Sequence, residues 1–188
     1  MKQWKMICAL TLCISLLLSV AVCAGEGPAA GETPAEPIGR GKKVYFAGPM
    51  FNQAEKDFNL AVVHVLEEFG YEVFLPQRDG IEAAQLEGKT EEELTRMIFE
   101  LDDSEVRKAD ILFMNLDGRV PDEGACVELG IAYALGKRCY AVKTDTRTIE
   151  LGLDINPMIS GCMIRVFKNF DGDQLLAEIR QYLSENEL

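Results

Sequence analysis

One charged residue stands out in an otherwise apolar stretch of the chain. Glu128 is the only charged side chain between Gly124 and Gly136, and its neighbours three and four positions away are glycine, alanine and isoleucine. On a helix those positions share its face, so Glu128 does not belong to a solvated polar face. A carboxylate held among apolar groups is costly unless the protein uses it. The pattern favours a functional carboxylate over one that only marks the outer side of a half-exposed helix.

Two further carboxylates are expected near the same place. Asp122 stands at the predicted start of the same helix, where an aspartate also serves as an N-cap, so its residue type fits a structural or a functional role equally well. Asp102 follows Leu94 and Ile98 at four-residue spacing, which places it along the edge of the apolar stripe of an earlier helix. If that helix continues past Leu101, Asp102 faces the cleft.

The sequence lacks the motifs of several other chemistries. It contains no P-loop, no dinucleotide fingerprint after a strand and no nucleophile elbow. With only one histidine, His64, the sequence gives little support for a His-rich metal site or a Ser-His-Asp triad. That histidine also lies off the apolar stripe of its predicted helix. An acidic trio suits Mg²⁺, but a phosphate-binding motif would then be expected beside it. Carboxylates alone fit glycosidic chemistry better, with one as nucleophile and another handling the leaving group's proton.

Short apolar runs alternate with amphipathic segments and would position these acids. The predicted strands are 44–47, 71–75, 111–114, 139–142 and 163–167, and the main predicted helices follow Asn52, Thr90, Asp122 and Gly172. This alternation predicts right-handed crossovers and a mainly parallel α/β sheet with helices on both faces. Ligands bind beyond the carboxyl ends of such strands, which places the loops 48–51, 76–90 and 115–122 at the site.

The N-terminal segment has the features of a targeting signal. Lys2 and Lys5 precede an uncharged apolar run over 6–22, and small residues follow where a signal peptidase would cut. We interpret 1–24 as a signal peptide or membrane anchor and expect export, to the periplasm or to a membrane through this segment. Retention as an anchor, or lipidation at Cys23, are the alternatives.

The rest of the chain is predicted to be a tether and one domain. Residues 25–42 place prolines among glycines without apolar periodicity, which is typical of a flexible linker. Residues 43–188 have the size of one domain. Three cysteines remain in it, Cys126, Cys139 and Cys162, at no metal-like spacing, and we interpret them as small buried hydrophobes.

The excess of acidic over basic residues limits the classes of molecule that the protein is expected to bind. The chain carries 19 Lys and Arg against 31 Asp and Glu, a formal net charge of −12. A duplex-binding protein needs a basic stripe to replace the counterions of the phosphates, so we expect no nucleic-acid partner. Small molecules are the expected ligands, and a membrane is a partner only through the N-terminal segment if that is uncleaved or lipidated.

Four segments resemble the nucleoside 2-deoxyribosyltransferase family. They are VYFAGPMF at 44–51, LDGRVPDEG at 116–124, VELG at 127–130 and NPMI at 156–159, and the likeness covers nearly all of 43–170. The resemblance implies a flavodoxin-like, doubly wound, five-stranded parallel sheet. It also implies transfer of 2-deoxyribose between nucleobases without a cofactor, with nucleosides and nucleobases as ligands.

The resemblance also implies roles for the acids. Glu128 matches the family's nucleophile, which forms a covalent deoxyribosyl intermediate, and Asp122 matches an aspartate that contacts the base. Asp102 matches the residue that helps to protonate the leaving base. Tyr45, on the first strand, corresponds to the tyrosine that steadies the nucleophile.

Other expected contacts come from the same resemblance. Gln77, after the second strand, matches a glutamine that often touches the base, and Gly48 lies in the first strand-end loop among the substrate-binding residues. Asn156 matches an asparagine that reaches the 5′-hydroxyl of the neighbouring subunit's substrate, which implies a homo-oligomer, a dimer or larger. Family members are generally intracellular, so the leader is a departure from the family pattern.

Three alternatives stay open at this point. An N-glycosidase acting on a 2-deoxynucleoside or its 5′-monophosphate would use the same glutamate with water as acceptor. Asp122 weighs against the monophosphate, because a second anion beside a phosphate is unfavourable. A non-catalytic nucleoside-binding module is less compatible with the full carboxylate set, and a metal-dependent phosphohydrolase is the most distant alternative.

Overall fold

The sheet consists of five short and mainly apolar strands. The computed structural model describes residues 38–39, 41–148 and 152–188. The strands are β1 (Lys43–Ala47), β2 (Glu72–Phe74), β3 (Ile111–Asn115), β4 (Arg138–Lys143) and β5 (Arg165–Lys168). All neighbours pair in parallel, in the order β2-β1-β3-β4-β5. This is the strand order of flavodoxin-like doubly wound sheets, so the predicted fold class is confirmed.

Within the described residues the chain forms four long helices, each beginning after a capping side chain, and three helices of a single turn. They are α1 (Gln53–Glu68), α2 (Pro76–Asp79), α3 (Ala83–Leu86), α4 (Glu91–Lys108), α5 (Glu123–Ala134), α6 (Pro157–Ser160) and α7 (Gly172–Glu185). Asn52 and Thr90 form the predicted capping boxes of α1 and α4. The expectation of an irregular loop over 76–90 is wrong in part, since that stretch contains α2 and α3, each of a single turn.

Alternate residues of each strand face opposite layers of helices. In β1, Val44 and Phe46 belong to a core cluster with the apolar sides of α1 and α7. Tyr45 and Ala47 point the other way, into a cluster with α4 and α5. Tyr45 therefore reaches the layer that carries Asp102 and Glu128.

The first half of α4 is less buried than its pattern predicts. Leu94 and Ile98 lie on its expected core face, yet the Ile98 side chain is 47% exposed and Leu94 only half-buried. The buried residues of α4 are Glu105 and Val106, at its far end. Ile98 lines a cavity instead of a core, which is why a core position is the wrong expectation for that residue.

The predicted leader at 1–24 and most of the predicted linker lie outside the described residues. Export and membrane attachment therefore stay predictions from sequence. None of the described helices combines the length and the apolar character needed to cross a bilayer.

Candidate active site

A hydrogen bond between the sheet and α5 fixes the Glu128 carboxylate. Tyr45 is fully buried in β1, at 0% exposure. Its hydroxyl donates to Oε1 of Glu128 over 2.7 Å. The tyrosine ring also stacks on Phe74 at 5.6 Å between centroids, so the hydroxyl has little freedom to turn away. The glutamate that the sequence singled out is thus held by the tyrosine expected to steady it.

The environment of this pair opposes ionisation. Burial raises the pKa of Glu128 to about 7; the charges of Asp102 and Asp122 add to the rise, and the Tyr45 hydrogen bond opposes it. Burial, together with Glu128 and Asp102, raises the pKa of Tyr45 far above its usual range, so the hydroxyl stays a donor. Burial also raises the pKa of Asp102, partly offset by the Tyr45 hydroxyl.

A cavity of about 330 Å³ lies between α4 and α5 beside this carboxylate. Asp102 and Glu128 contribute polar groups to a lining that is otherwise mainly apolar. The apolar members are Ile98, Phe99, Val127 and Ile131. Because α4 continues unbroken to Lys108, Asp102 faces the cavity as its helical phase predicts.

A smaller cavity of about 190 Å³ adjoins the first one. Met50, Pro76 and Ile81 line it, and it shares Ile98 and Asp102 with the larger cavity. This smaller cavity lies where the loops after β1 and β2 meet α4. Asp102 thus lines both cavities.

Asp122 lies close to Glu128 but is engaged by the backbone. Its Oδ2 accepts a hydrogen bond from the N–H of Ala125 at 2.8 Å, which is the capping role the sequence allowed. Its charge still raises the pKa of Glu128. Among the described residues, no group of three or more His, Cys, Asp or Glu side chains is arranged to hold a metal ion.

The structure shows no hydrogen bond between Glu128 and the remaining predicted site residues that it describes, Gln77, Asn156 and Gly48. The Gln77 amide is occupied by protein: Oε1 accepts from Asn59 at 3.1 Å and Nε2 donates to a backbone carbonyl at 2.9 Å. Asn156 is exposed and caps α6, accepting from the N–H of Met158. Gly48 sits at the end of β1, half-buried. None of these three lines either of the two described cavities that Asp102 faces.

The sequence reasoning missed the apolar wall of the site. Val127 and Ile131 lie one residue before and three after Glu128, and Phe99 lies three residues before Asp102. Helical spacing from the two acids would have found Ile131 and Phe99, because side chains three or four positions apart share a face, and Val127 in turn lies four positions before Ile131. A search for chemistry-bearing residue types alone passes over such apolar neighbours.

Fold and site together define a class of protein: a flavodoxin-like α/β protein with a buried carboxylate beside an apolar cavity. The chain belongs to the nucleoside 2-deoxyribosyltransferase family, whose model matches residues 44–186. The predicted family and the predicted class of pentosyltransferase are thereby confirmed.

The solved structures that are similar to this chain include a 2-deoxyribosyltransferase. A conserved protein from Enterococcus faecalis V583 is 27% identical, with 74% of this chain and 98% of that chain covered and a TM-score of 0.58. A 2-deoxyribosyltransferase from Bacillus psychrosaccharolyticus is also 27% identical, with coverage of 73% and 95% and a TM-score of 0.57. A CMP N-glycosidase from Clostridium botulinum, 19% identical over 75% and 99%, shares the fold at a TM-score of 0.52. No curated protein matches the sequence.

Proposed function

We propose that this protein transfers 2-deoxyribose between nucleobases through a covalent deoxyribosyl–Glu128 intermediate. The observation that carries the proposal is the position of the Glu128 carboxylate. It accepts a hydrogen bond from the Tyr45 hydroxyl at 2.7 Å and lines a largely apolar cavity that Asp102 also lines. Family membership and the similar 2-deoxyribosyltransferase support an enzyme of this type or a related N-glycosidase. The two activities differ in the acceptor of the deoxyribosyl group, which is a base for the transferase and water for the N-glycosidase.

The first half-reaction breaks the bond to the departing base. An oxygen of Glu128 bonds to C1′ while the electron pair of the C1′–N bond moves to the base. Asp102, whose pKa is raised above the ordinary aspartate value by burial, donates the proton that the base needs. In the second half-reaction a new base attacks C1′, Glu128 leaves with its electron pair and the proton returns to Asp102. Two inversions keep the β configuration.

The site favours neutral nucleosides over their phosphates. Asp102 and Glu128 face one cavity, and Asp122 lies near enough to Glu128 to raise its pKa. A phosphate dianion near the carboxylates of Glu128 and Asp122 is unfavourable by like-charge repulsion. The apolar side chains Val127 and Phe99 provide surfaces against which a nucleobase or a deoxyribose ring packs favourably.

Incubation with deoxyinosine, with and without adenine, tests the proposed function. Chromatography should show deoxyadenosine only when adenine is present. Free hypoxanthine without any new nucleoside would make the protein an N-glycosidase. No reaction with any donor and base pair would leave a nucleoside-binding module and defeat the proposal.

Activity should depend on pH through Glu128. Its pKa is raised to about 7, so the nucleophilic carboxylate is gained as the pH rises through that value and lost below it. We expect kcat/KM for transfer to fall about tenfold for each unit of pH well below 7. The measurement is a profile from pH 5 to 9 with the folded state checked at each point. A flat profile down to pH 5 would contradict this assignment.

We further propose that the working enzyme is a homo-oligomer. Asn156 is exposed and so is accessible to a neighbouring subunit. Phe99 and Val127, at the cavity, are each 60% exposed, which suits a site that a second copy covers. The expected role of Asn156 in a neighbour's site requires such an assembly.

Dilution to monomer should therefore abolish transfer, and Asn156→Ala should raise KM about tenfold or more. Asn156→Asp is the matched control for the fold, because its carboxylate still caps α6 while the amide donor is lost. Light scattering combined with activity measures the first effect. A fully active monomer would refute the shared site.

A further inference from the structure

Two buried asparagines lie behind the loops that form the site. Asn59 on α1 and Asn115 at the end of β3 are each 1% exposed. Nδ2 of Asn115 donates to Oδ1 of Asn59 at 2.9 Å. Nδ2 of Asn59 donates in turn to the carbonyl of Pro49 at 2.8 Å and to Oε1 of Gln77 at 3.1 Å. We call Asn59, Asn115 and Gln77 the amide network.

The amide network joins α1 to the loops that follow three neighbouring strands. The carbonyl of Pro49 belongs to the loop after β1, and Gln77 belongs to the segment after β2. Oδ1 of Asn115 accepts from the N–H of Asp117 at 3.0 Å, which fixes the start of the loop after β3. Each asparagine uses both its donor and its acceptor, a combination that neither an aspartate nor an apolar residue supplies.

Those three loops supply parts of the site. Met50 and Pro76 are sequence neighbours of network partners, and both line the smaller cavity together with Asp102. The loop 116–122 ends at Asp122, which caps α5. A shift in any of the three loops would therefore change the walls around a bound base.

Gly48 shows how closely the first loop packs on this network. A Cβ on Gly48 would lie 2.8 Å from the Cβ of Asn115, closer than such atoms approach. Only glycine allows the loop after β1 to rest on Asn115. Gly48, expected as a substrate-binding residue, thus has a packing role that couples the loop to the network.

We propose that the amide network is a positioning device that sets how the deoxyribosyl–Glu128 intermediate divides between a nucleobase and water. The inference rests on the proposed transfer reaction. In either outcome the bond from C1′ to Glu128 breaks and its electron pair returns to the carboxylate. The new bond comes from a base nitrogen or a water oxygen, and the proton released passes to Asp102. Loops held in register align the base and leave little room for water. This alignment matters because small misplacements of the reacting groups are costly in such reactions.

The test compares Asn59→Ala and Asn115→Asp with a matched control, Tyr71→Phe. The Tyr71 hydroxyl is a buried acceptor for the N–H of Leu188 at 2.8 Å, in the core on the other side of the sheet from Glu128. Each protein is incubated with deoxyinosine and adenine, and deoxyadenosine and free 2-deoxyribose are measured in the same reaction. The ratio of the two products does not depend on how much protein is folded, so even a partly folded variant reports on the site.

We expect the ratio of free sugar to deoxyadenosine to rise about tenfold or more in both network variants, with transfer down by up to about 100-fold. Tyr71→Phe should keep the wild-type ratio even if its melting temperature falls. An unchanged ratio in the network variants, or an equal rise in Tyr71→Phe, would overturn the inference. Failure of the proposed function has a different signature, because the wild-type protein itself would then form no deoxyadenosine.

Discussion

Replacing Glu128 with glutamine is expected to lower the rate of deoxyribose transfer by roughly 10⁴-fold or more, because the covalent route disappears with its nucleophile. Glutamine is the informative substitution. It keeps the size of the side chain and an oxygen that accepts from the Tyr45 hydroxyl, whereas alanine would leave that buried hydroxyl without the acceptor it has at 2.7 Å. Steady-state transfer with saturating deoxyinosine and adenine measures the loss. Near-normal turnover would remove Glu128 from the mechanism.

Stability provides the control for that variant. The pKa of Glu128 is raised from its ordinary value to about 7, so its favourable contribution is complete below about pH 4.5 and is lost as the pH rises through 7. A neutral glutamine escapes this loss. At pH 8 Glu128→Gln should therefore be as stable as the wild type or more stable. The gain in the free energy of unfolding should be ~3 kcal/mol at most. A large drop in its melting temperature would mean that the lost activity reflects misfolding.

Replacing Asp102 with asparagine should lower kcat/KM for nucleosides by about 10²- to 10⁴-fold, the range expected when a general acid is removed. Asparagine matches the shape of aspartic acid but cannot give up a proton to the departing base. The loss should shrink for donors whose base leaves readily without protonation. A series of donors that differ in the basicity of the leaving base measures this dependence.

Glu100→Gln is the matched control for Asp102→Asn, because Glu100 is an exposed acid on the same helix. It should behave as the wild type for every donor. If Asp102→Asn loses the same factor with good and poor leaving groups, Asp102 does not act as the acid. Its place beside Glu128 would then serve binding alone.

Local signals in the sequence were enough to predict the long helices and the catalytic carboxylate candidate. Asn52 and Thr90 cap their helices as expected because a capping box depends only on residues three positions apart. Glu128 stood out because an apolar helix makes a single charge conspicuous. Asp102 was placed correctly by helical phase. These inferences need no knowledge of what packs against the helix.

Features that depend on distant parts of the chain could not be predicted from pattern. The Tyr45–Glu128 bond joins residues 83 positions apart, and only a family resemblance pointed to it. The first half of α4 has the stripe of a core helix, but a pattern does not say whether a core or a cavity faces it. Asn59 and Asn115 carry no periodic signal, because two polar residues buried against each other look like surface residues in the sequence.

The covalent intermediate is the central claim, and trapping it is the most direct test. A 2-fluoro-substituted deoxynucleoside slows breakdown of a glycosyl–enzyme intermediate, so the wild-type protein should accumulate a sugar adduct. Mass spectrometry of the digested protein should place that adduct on Glu128, and Glu128→Gln should carry none. An adduct on Asp102 or Asp122, or an active wild-type enzyme that turns over the analogue without any adduct, would contradict the account.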